Sequence, residues 1–333
     1  MKADLTKRLF RAIAVGSEKD LSRLCRKVIE DESNKGHSVL ANQLETILKT
    51  KKQAPTVNNV EPRTDNERAL QSLPLSRRHQ DPLVVNMDRA YLRHFMVLPD
   101  AVEGKFRRIE QEYAARERLA SFGLRHKKKI LLYGHPGCGK TLGAERLAWA
   151  TGLPLVKVRF DALISSYFGE SGVNLRSVFE SAKARPCLLF LDECDFIAKS
   201  RNNQNDVGEV PRLVNTLLQL LEDFDAPGLL VAATNLDKQL DKALFRRFDD
   251  VFEVLPPGPE EIERLLKLTL TAIDVSSKIQ WDELVLKLVG MSAADVVKVA
   301  QDAAKSTVLS GRGEVQQEDL AFAISEIYKR DQS

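Results

Sequence analysis

The segment Gly134-His135-Pro136-Gly137-Cys138-Gly139-Lys140-Thr141 fits the pattern G-x-x-x-x-G-K-[ST] at every position. The apolar run Ile130, Leu131, Leu132, Tyr133 precedes it, and a helix-like stretch from Leu142 to Ala150 follows. Strand, glycine loop and helix in that order are the context that separates a phosphate-binding loop from an ordinary Gly-rich turn. Glycines let backbone N–H groups turn inward around phosphate oxygens, and the helix start adds its positive end. In such a loop Lys140 reaches the β- and γ-phosphates and Thr141 offers a hydroxyl to Mg²⁺. A nucleoside triphosphate with Mg²⁺ is therefore the expected ligand. His135, Pro136, Gly137, Cys138, Gly139 and Leu142 complete the expected nucleotide contacts.

The strands that follow define the fold class. Leu155–Val158, Leu188–Leu191, Leu229–Ala233 and Val251–Val254 are short, nearly continuous apolar runs separated by helical stretches. That pattern predicts an α/β fold whose parallel sheet is covered by helices on both faces. A charged helix over about 101–122 leads into the first core strand. Pro256-Pro257-Gly258-Pro259 breaks the chain, and only helices are expected beyond it, over 260–273, 281–289, 293–309 and 317–328.

Four domains are expected in the 333 residues: a small helical domain over 1–50, a linker over 51–85, an α/β nucleotide-binding subdomain over 86–256, and a helical lid over 257–333. Leu5, Leu9 and Ile13, then Leu21, Leu24 and Val28, then Leu40, Leu44, Ile47 and Leu48 recur at helical spacing, which predicts three short N-terminal helices. Pro55, Pro62, Pro74 and Pro82, scattered among polar residues, mark the linker.

A net charge of +3 gives no general drive toward nucleic acid. Cys25, Cys138, Cys187 and Cys194 lack metal-ligand spacing, and this usage fits a reducing compartment. Met1–Phe10 is charged and carries no signal-peptide core. No apolar run approaches the roughly 18 residues of a membrane span. A cytoplasmic protein is the expectation.

Leu188 to Asp195 reads LLFLDECD, an apolar strand ending in adjacent carboxylates. Alternation along a strand sends consecutive side chains apart. Asp192 then supports Mg²⁺ while Glu193 faces an attacking water, which needs a positioned base as well as the ion. Asn235, closing the next strand, places an amide within reach of both the γ-phosphate and that water. Arg246 and Arg247, in Phe245-Arg246-Arg247-Phe248-Asp249, read either as a solvated pair or as arginine fingers aimed at a neighbouring subunit's nucleotide.

Together GHPGCGKT, LLFLDECD, AATN and ALFRRFDD, in this order, resemble an AAA+ ATPase. The resemblance is to the AAA clade that remodels proteins, such as katanin, the endosomal-sorting disassembly ATPase and the FtsH-type modules, and it covers about residues 95–330. It implies sheet order 5-1-4-3-2, a helical lid, and hexameric rings with ATP as the nucleoside triphosphate between subunits. Lys140 and Thr141 match the Walker A residues, Asp192 and Glu193 the Walker B pair, Asn235 sensor 1, and Arg246 and Arg247 the paired fingers. His135 and Cys138 stand where the family usually has proline and threonine, and Cys138 would make the site thiol-sensitive. Gly290-Met291-Ser292-Ala293-Ala294-Asp295 matches the lid motif, which puts Ala293 and Ala294 at the adenine end of the nucleotide.

Tyr167, Phe168 and Gly169 lie where this family places its central-pore loop, and residues 199–210 fit a second pore loop. Aromatic rings around a ring axis grip a polypeptide without reading its sequence. The expected partners are thus further copies of the chain and a polypeptide substrate. The chain has no H-E-x-x-H and no G-x-S-x-G motif, so degradation would need a separate protease. The layout also resembles stand-alone bacterial AAA ATPases paired with a subtilisin-like serine protease in phage defence. Two other classes stay open: an ATP-gated sensor or scaffold controlling such a protease, and a nucleic-acid motor or loader. The aromatic and acidic character of Tyr167, Phe168 and Glu170 disfavours the motor, which needs basic pore residues.

Overall fold

A computed structural model describes residues 23–27, 29, 74, 82–165, 170–194, 209–235 and 242–331. It forms two compact units, Arg63–Pro257 and Met1–Pro62 with Gly258–Ser333.

In the first unit, β1 (Val84–Met87) and a single 3-10 turn (Arg89–Tyr91) lead to α1 (Asp100–Ala114) and α2 (Arg116–Ser121). The nucleotide-binding core follows as β2 (Lys129–Tyr133), α3 (Lys140–Thr151), β3 (Leu155–Val158), α4 (Phe160–Ser165) and α5 (Ser171–Ala184). It continues through β4 (Leu188–Leu191), α6 (Glu209–Glu222), β5 (Leu229–Thr234), α7 (Lys242–Phe245) and β6 (Asp250–Glu253). The helix expected over 101–122 is divided at Ala115.

The sheet runs β1-β3-β4-β5-β2-β6. Counting from β2, the five parallel strands stand in the order 5-1-4-3-2 implied by the resemblance. The sheet is not wholly parallel, however: β1 adds an antiparallel edge strand, with Val84 opposite Val158 and Met87 opposite Leu155. This strand spans the 85/86 position at which composition changes from linker to globular chain.

Alternation sends successive side chains to two separate cores. Leu189 and Leu191 of β4 join Val156, Phe179 and Leu217 on the face covered by α5 and α6. Leu188 and Phe190 join Phe106, Leu147 and Phe252 on the face covered by α1 and α3. Burial on both faces is why the core strands read as unbroken apolar runs.

The second unit carries α8 (Pro259–Thr269), β7 (Asp274–Val275), α9 (Trp281–Leu288), α10 (Ala293–Leu309), β8 (Glu314–Val315) and α11 (Gln317–Asp331). It is not helix alone, because β7 and β8 pair in parallel. Buried Asp319, in the first turn of α11, ties that helix to α10 and the turn after it, accepting from the Thr307 hydroxyl at 3.2 Å and from Arg312 at 2.5 Å. Residues 23–27 are helical, Leu24 is buried, and Lys27 pairs with Asp274 of β7. The remaining N-terminal helices, most of the linker, Tyr167, Phe168 and Gly169 of the expected pore loop, and most of the second one lie outside the described residues. Among the described residues no helix is long and apolar enough to cross a membrane.

Candidate active site

The loop from Gly134 to Gly139 connects β2 to α3. Gly134 has φ 135°, and a Cβ there would lie 2.7 Å from the Val254 carbonyl oxygen. Gly139 has φ 96° and begins α3 with no side chain capping the helix. The first N–H groups of a helix lack intrahelical acceptors, so this uncapped start suits an anion. Lys140 is 7% exposed. Its ammonium donates to the carbonyls of Gly134 at 2.7 Å and His135 at 2.8 Å, inside the curl of the loop.

His135, Pro136 and Gly137 are exposed along the loop's rim, and Leu142 is half-buried in the first turn of α3. Cys138 is 3% exposed and turns its thiol toward the Pro136 carbonyl. Among the other cysteines, burial pushes the Cys187 thiol up to about 12, which keeps it protonated.

Thr141 faces the carboxyl end of β4, and its hydroxyl donates to Asp192 Oδ2 at 3.2 Å. Lys157 of β3 donates to the same oxygen at 2.7 Å, and the backbone N–H of Glu193 reaches Oδ1 at 3.0 Å. Both carboxylates lie just past β4, and simple strand alternation is not what parts them. Glu193 has φ 54°, the left-handed region, and is the non-glycine residue with positive φ among the described residues. The kink turns Asp192 inward to Thr141 and leaves Glu193 exposed. Nothing in LLFLDECD marks this, since no Gly or Asn signals it. The thiol of Cys194 and its backbone N–H then re-anchor the chain to the Leu191 and Ala233 carbonyls, at 3.4 and 2.9 Å.

Asn235 is exposed at the bend immediately after β5, and Thr234 before it is buried, in register with Tyr133 beside the loop. Arg246 and Arg247 occupy the turn between α7 and β6 and are not equivalent. Arg246 is exposed with no side-chain partner among the described residues. Arg247 donates to the Leu218 carbonyl at 3.1 Å and to Glu222 at 3.4 Å, both on α6. Ala293 and Ala294 form the first turn of α10 in the second unit, where the Ser292 hydroxyl caps the helix by accepting from the Asp295 N–H at 3.2 Å.

Several supporting residues carry no motif. Glu145 of α3 is 2% exposed and is met by Arg93, whose backbone N–H and Nε both donate at 2.9 Å. His94 stacks on Trp149 at 3.9 Å. From α1, Glu103 and Glu110 hold Arg146, and the Arg146 hydrogen bond keeps the Glu103 carboxyl below its usual range. Their separations along the chain, such as 52 residues for Arg93 and Glu145, leave no local pattern to detect.

The residues fit a Mg²⁺–nucleotide. An uncapped helix start and a buried ammonium line the phosphate side, while a hydroxyl and a carboxylate oxygen 3.2 Å apart face the metal side. No cluster of three or more His, Cys, Asp or Glu suited to holding a metal by itself occurs among the described residues.

This fold and site define a P-loop nucleotidase of the AAA type. The family model for "ATPase family associated with various cellular activities (AAA)" matches residues 130–255. Over 330 residues the chain is 34% identical to the uncharacterized AAA family ATPase y4kL of Sinorhizobium fredii, covering 99% of this chain and 96% of that protein. The chain belongs to the AAA family of ATPases and is an ATP-hydrolysing enzyme. It is also similar to the proteasome-activating nucleotidases of Methanosarcina mazei, 32% identical over 227 residues, and Archaeoglobus fulgidus, 33% over 221 residues. Those matches take in 66% and 64% of this chain but only 54% and 56% of the archaeal proteins.

Proposed function

We propose that the chain is a ring-forming, ATP-driven remodeller that draws polypeptides through a central pore. The observation that carries this reading is the meeting of Lys140, Thr141, Asp192 and Glu193 at the carboxyl ends of β2 and β4, with Arg246 exposed on the turn before β6. A site with its own phosphate loop and carboxylates, but with an unengaged arginine on another surface, suits catalysis shared between neighbouring copies.

In this reading Lys140 balances phosphate charge from within the loop. Thr141 and Asp192 hold Mg²⁺, which when bound neutralises charge on the phosphate oxygens. Glu193 orients and deprotonates the attacking water, and Asn235 hydrogen-bonds that water and the γ-phosphate. Arg246 and Arg247 serve the neighbouring subunit, Arg246 by contact and Arg247 by bracing the turn. Ala293 and Ala294 border the adenine. Tyr167, Phe168 and Gly169 grip the substrate.

The name of the proteasome-activating relatives supports a polypeptide substrate and a separate protease partner for this chain, and the hexamer is what the family resemblance implies. A serine protease in a defence pair is the specific form of that partner. The four-domain division, with an N-terminal adaptor over 1–50 and a linker over 51–85, belongs to the same reading.

The test is ATP-dependent trapping. Glu193→Gln should retain ATP binding and lose turnover, so polypeptide should co-purify with it only when ATP is present. Adding Tyr167→Ala should release that polypeptide. Capture that survives Tyr167→Ala and consists of one stoichiometric protease supports the gated sensor instead, and nuclease-sensitive capture supports a nucleic-acid motor.

A further inference from the structure

Lys157 lies within β3, in register with Phe190 of β4. Its ammonium stands 5.7 Å from the centre of the Phe190 ring and reaches forward to Asp192 Oδ2 at 2.7 Å. That oxygen also accepts the Thr141 hydroxyl at 3.2 Å, while Oδ1 takes the Glu193 N–H. A carboxylate oxygen offers two lone-pair sites, and here ammonium and hydroxyl take both. The Asp192 side chain is 16% exposed, so little water is at hand to replace a lost donor. A divalent ion approaching Oδ2 must therefore displace one of the two. Thr141 is expected to bind that same ion, which leaves Lys157 as the group that yields. The lysine side chain is 37% exposed and has solvent to move into.

We infer that Lys157 is a positioning residue that serves as an exchangeable counter-cation for Asp192. It holds the carboxylate toward Thr141 in the metal-free site and sets the divalent-ion concentration at which nucleotide is taken up with its metal. The inference rests on the assignment of Thr141 and Asp192 to the metal side of the site and adds a determinant of metal requirement that no motif encodes. A lysine held against a metal-binding carboxylate competes with the ion by like-charge exclusion. At about 4 Å one unit charge shifts an equilibrium about fivefold under bulk-water screening, and by more where screening is weaker.

The experiment is a Mg²⁺ titration of binding to ADP carrying a fluorescent ribose substituent, with excess chelator as the metal-free baseline. Lys157→Met keeps most of the stem and removes the charge. It should lower the half-saturating Mg²⁺ concentration by at least about fivefold and leave binding in chelator unchanged. Lys157→Arg should stay near wild type. An unchanged or raised Mg²⁺ midpoint in Lys157→Met overturns the inference. So does an equal fall in metal-free and metal-dependent binding, which would make the lysine a phosphate contact or a packing residue. Asp192→Asn separates the two levels. If it retains the wild-type Mg²⁺ effect, the assignment of Asp192 fails and the inference with it. If it abolishes the effect while Lys157→Met shifts nothing, the inference alone fails.

Discussion

Replacing Glu193 by glycine should make the protein more stable than replacing it by alanine, the reverse of the order at an ordinary position. Glu193 sits at φ 54°, where a residue bearing a Cβ loses roughly 1–2 kcal/mol to its own carbonyl geometry. Glu193→Ala keeps that cost, and Glu193→Gly removes it. Against this, glycine gains unfolded-state freedom that alanine lacks, worth roughly 0.4–1 kcal/mol. The difference favours glycine by roughly 0.5–1 kcal/mol. Both variants lose the carboxylate and both keep the N–H that donates to Asp192, so side-chain effects cancel in the comparison. Urea unfolding of the nucleotide-free proteins measures it. With a slope of roughly 2–3 kcal/mol per molar, the glycine midpoint should lie roughly 0.3 M higher. Neither variant should hydrolyse ATP. If Glu193→Ala is the more stable by half a kilocalorie or more, the left-handed kink is not what holds Glu193 outward, and stored strain plays no part in presenting it.

The two arginines should part company. Arg246→Ala should lower kcat by about 10³–10⁵, and mixing it equally with Glu193→Gln should restore about a quarter of the interfaces if the arginine acts across subunits. No recovery on mixing would refute that arrangement. Arg247→Ala should cost about 1.5–3 kcal/mol of stability through its lost bond to Leu218 and less in rate; denaturation and steady-state kinetics on one preparation decide. Phe106 is fully buried, edge-on to Phe252 at 5.3 Å and under Arg146, so Phe106→Ala should cost about 3–5 kcal/mol in a denaturation midpoint; a loss under 1 kcal/mol would mean α1 does not brace α3. Burial, reinforced by Lys128 and Arg116, pushes His126 below its ordinary value of 6.5, and its Nε2 is buried with no hydrogen-bond partner among the described residues. The folded state thus binds this proton less readily than the unfolded chain. The contribution of this imidazole is fully present above about pH 6.5 and is lost as pH drops below it, and His126→Phe should flatten that slope in thermal melts.

How much was readable from residues follows from how local each signal is. The phosphate loop was legible because strand, glycines, lysine and helix are contiguous. The five parallel strands were legible because burial on both faces leaves apolar runs. β1 escaped because only Val84 of its four residues is buried, and the partner that makes it a strand lies some 70 residues away at Val158. β7 and β8, two residues each, are too short to carry any period. The arginine pair was visible, but not its inequality, because adjacent residues share their sequence context and differ only in which one α6 engages.

The same distinction explains how the site is built. α3 is fixed from outside its own segment. Arg93 grips Glu145, Glu103 and Glu110 grip Arg146, and His94 lies flat on Trp149. Burial of Glu145 at 2% makes that grip costly to break, since a buried carboxylate left alone keeps its full desolvation penalty. The phosphate loop thus stands on a helix whose position no single loop residue determines. At the carboxyl end of β4 the arrangement is different. Asp192 is held by a hydroxyl and a half-exposed lysine, Glu193 by a strained backbone, and Arg246 by no described partner. The binding end is over-determined and the hydrolytic end is held by groups that can be exchanged. Changes around α3 should therefore weaken the fold and nucleotide binding together. Changes at Asp192, Glu193 or Arg246 should remove turnover from a protein that still folds and still binds nucleotide.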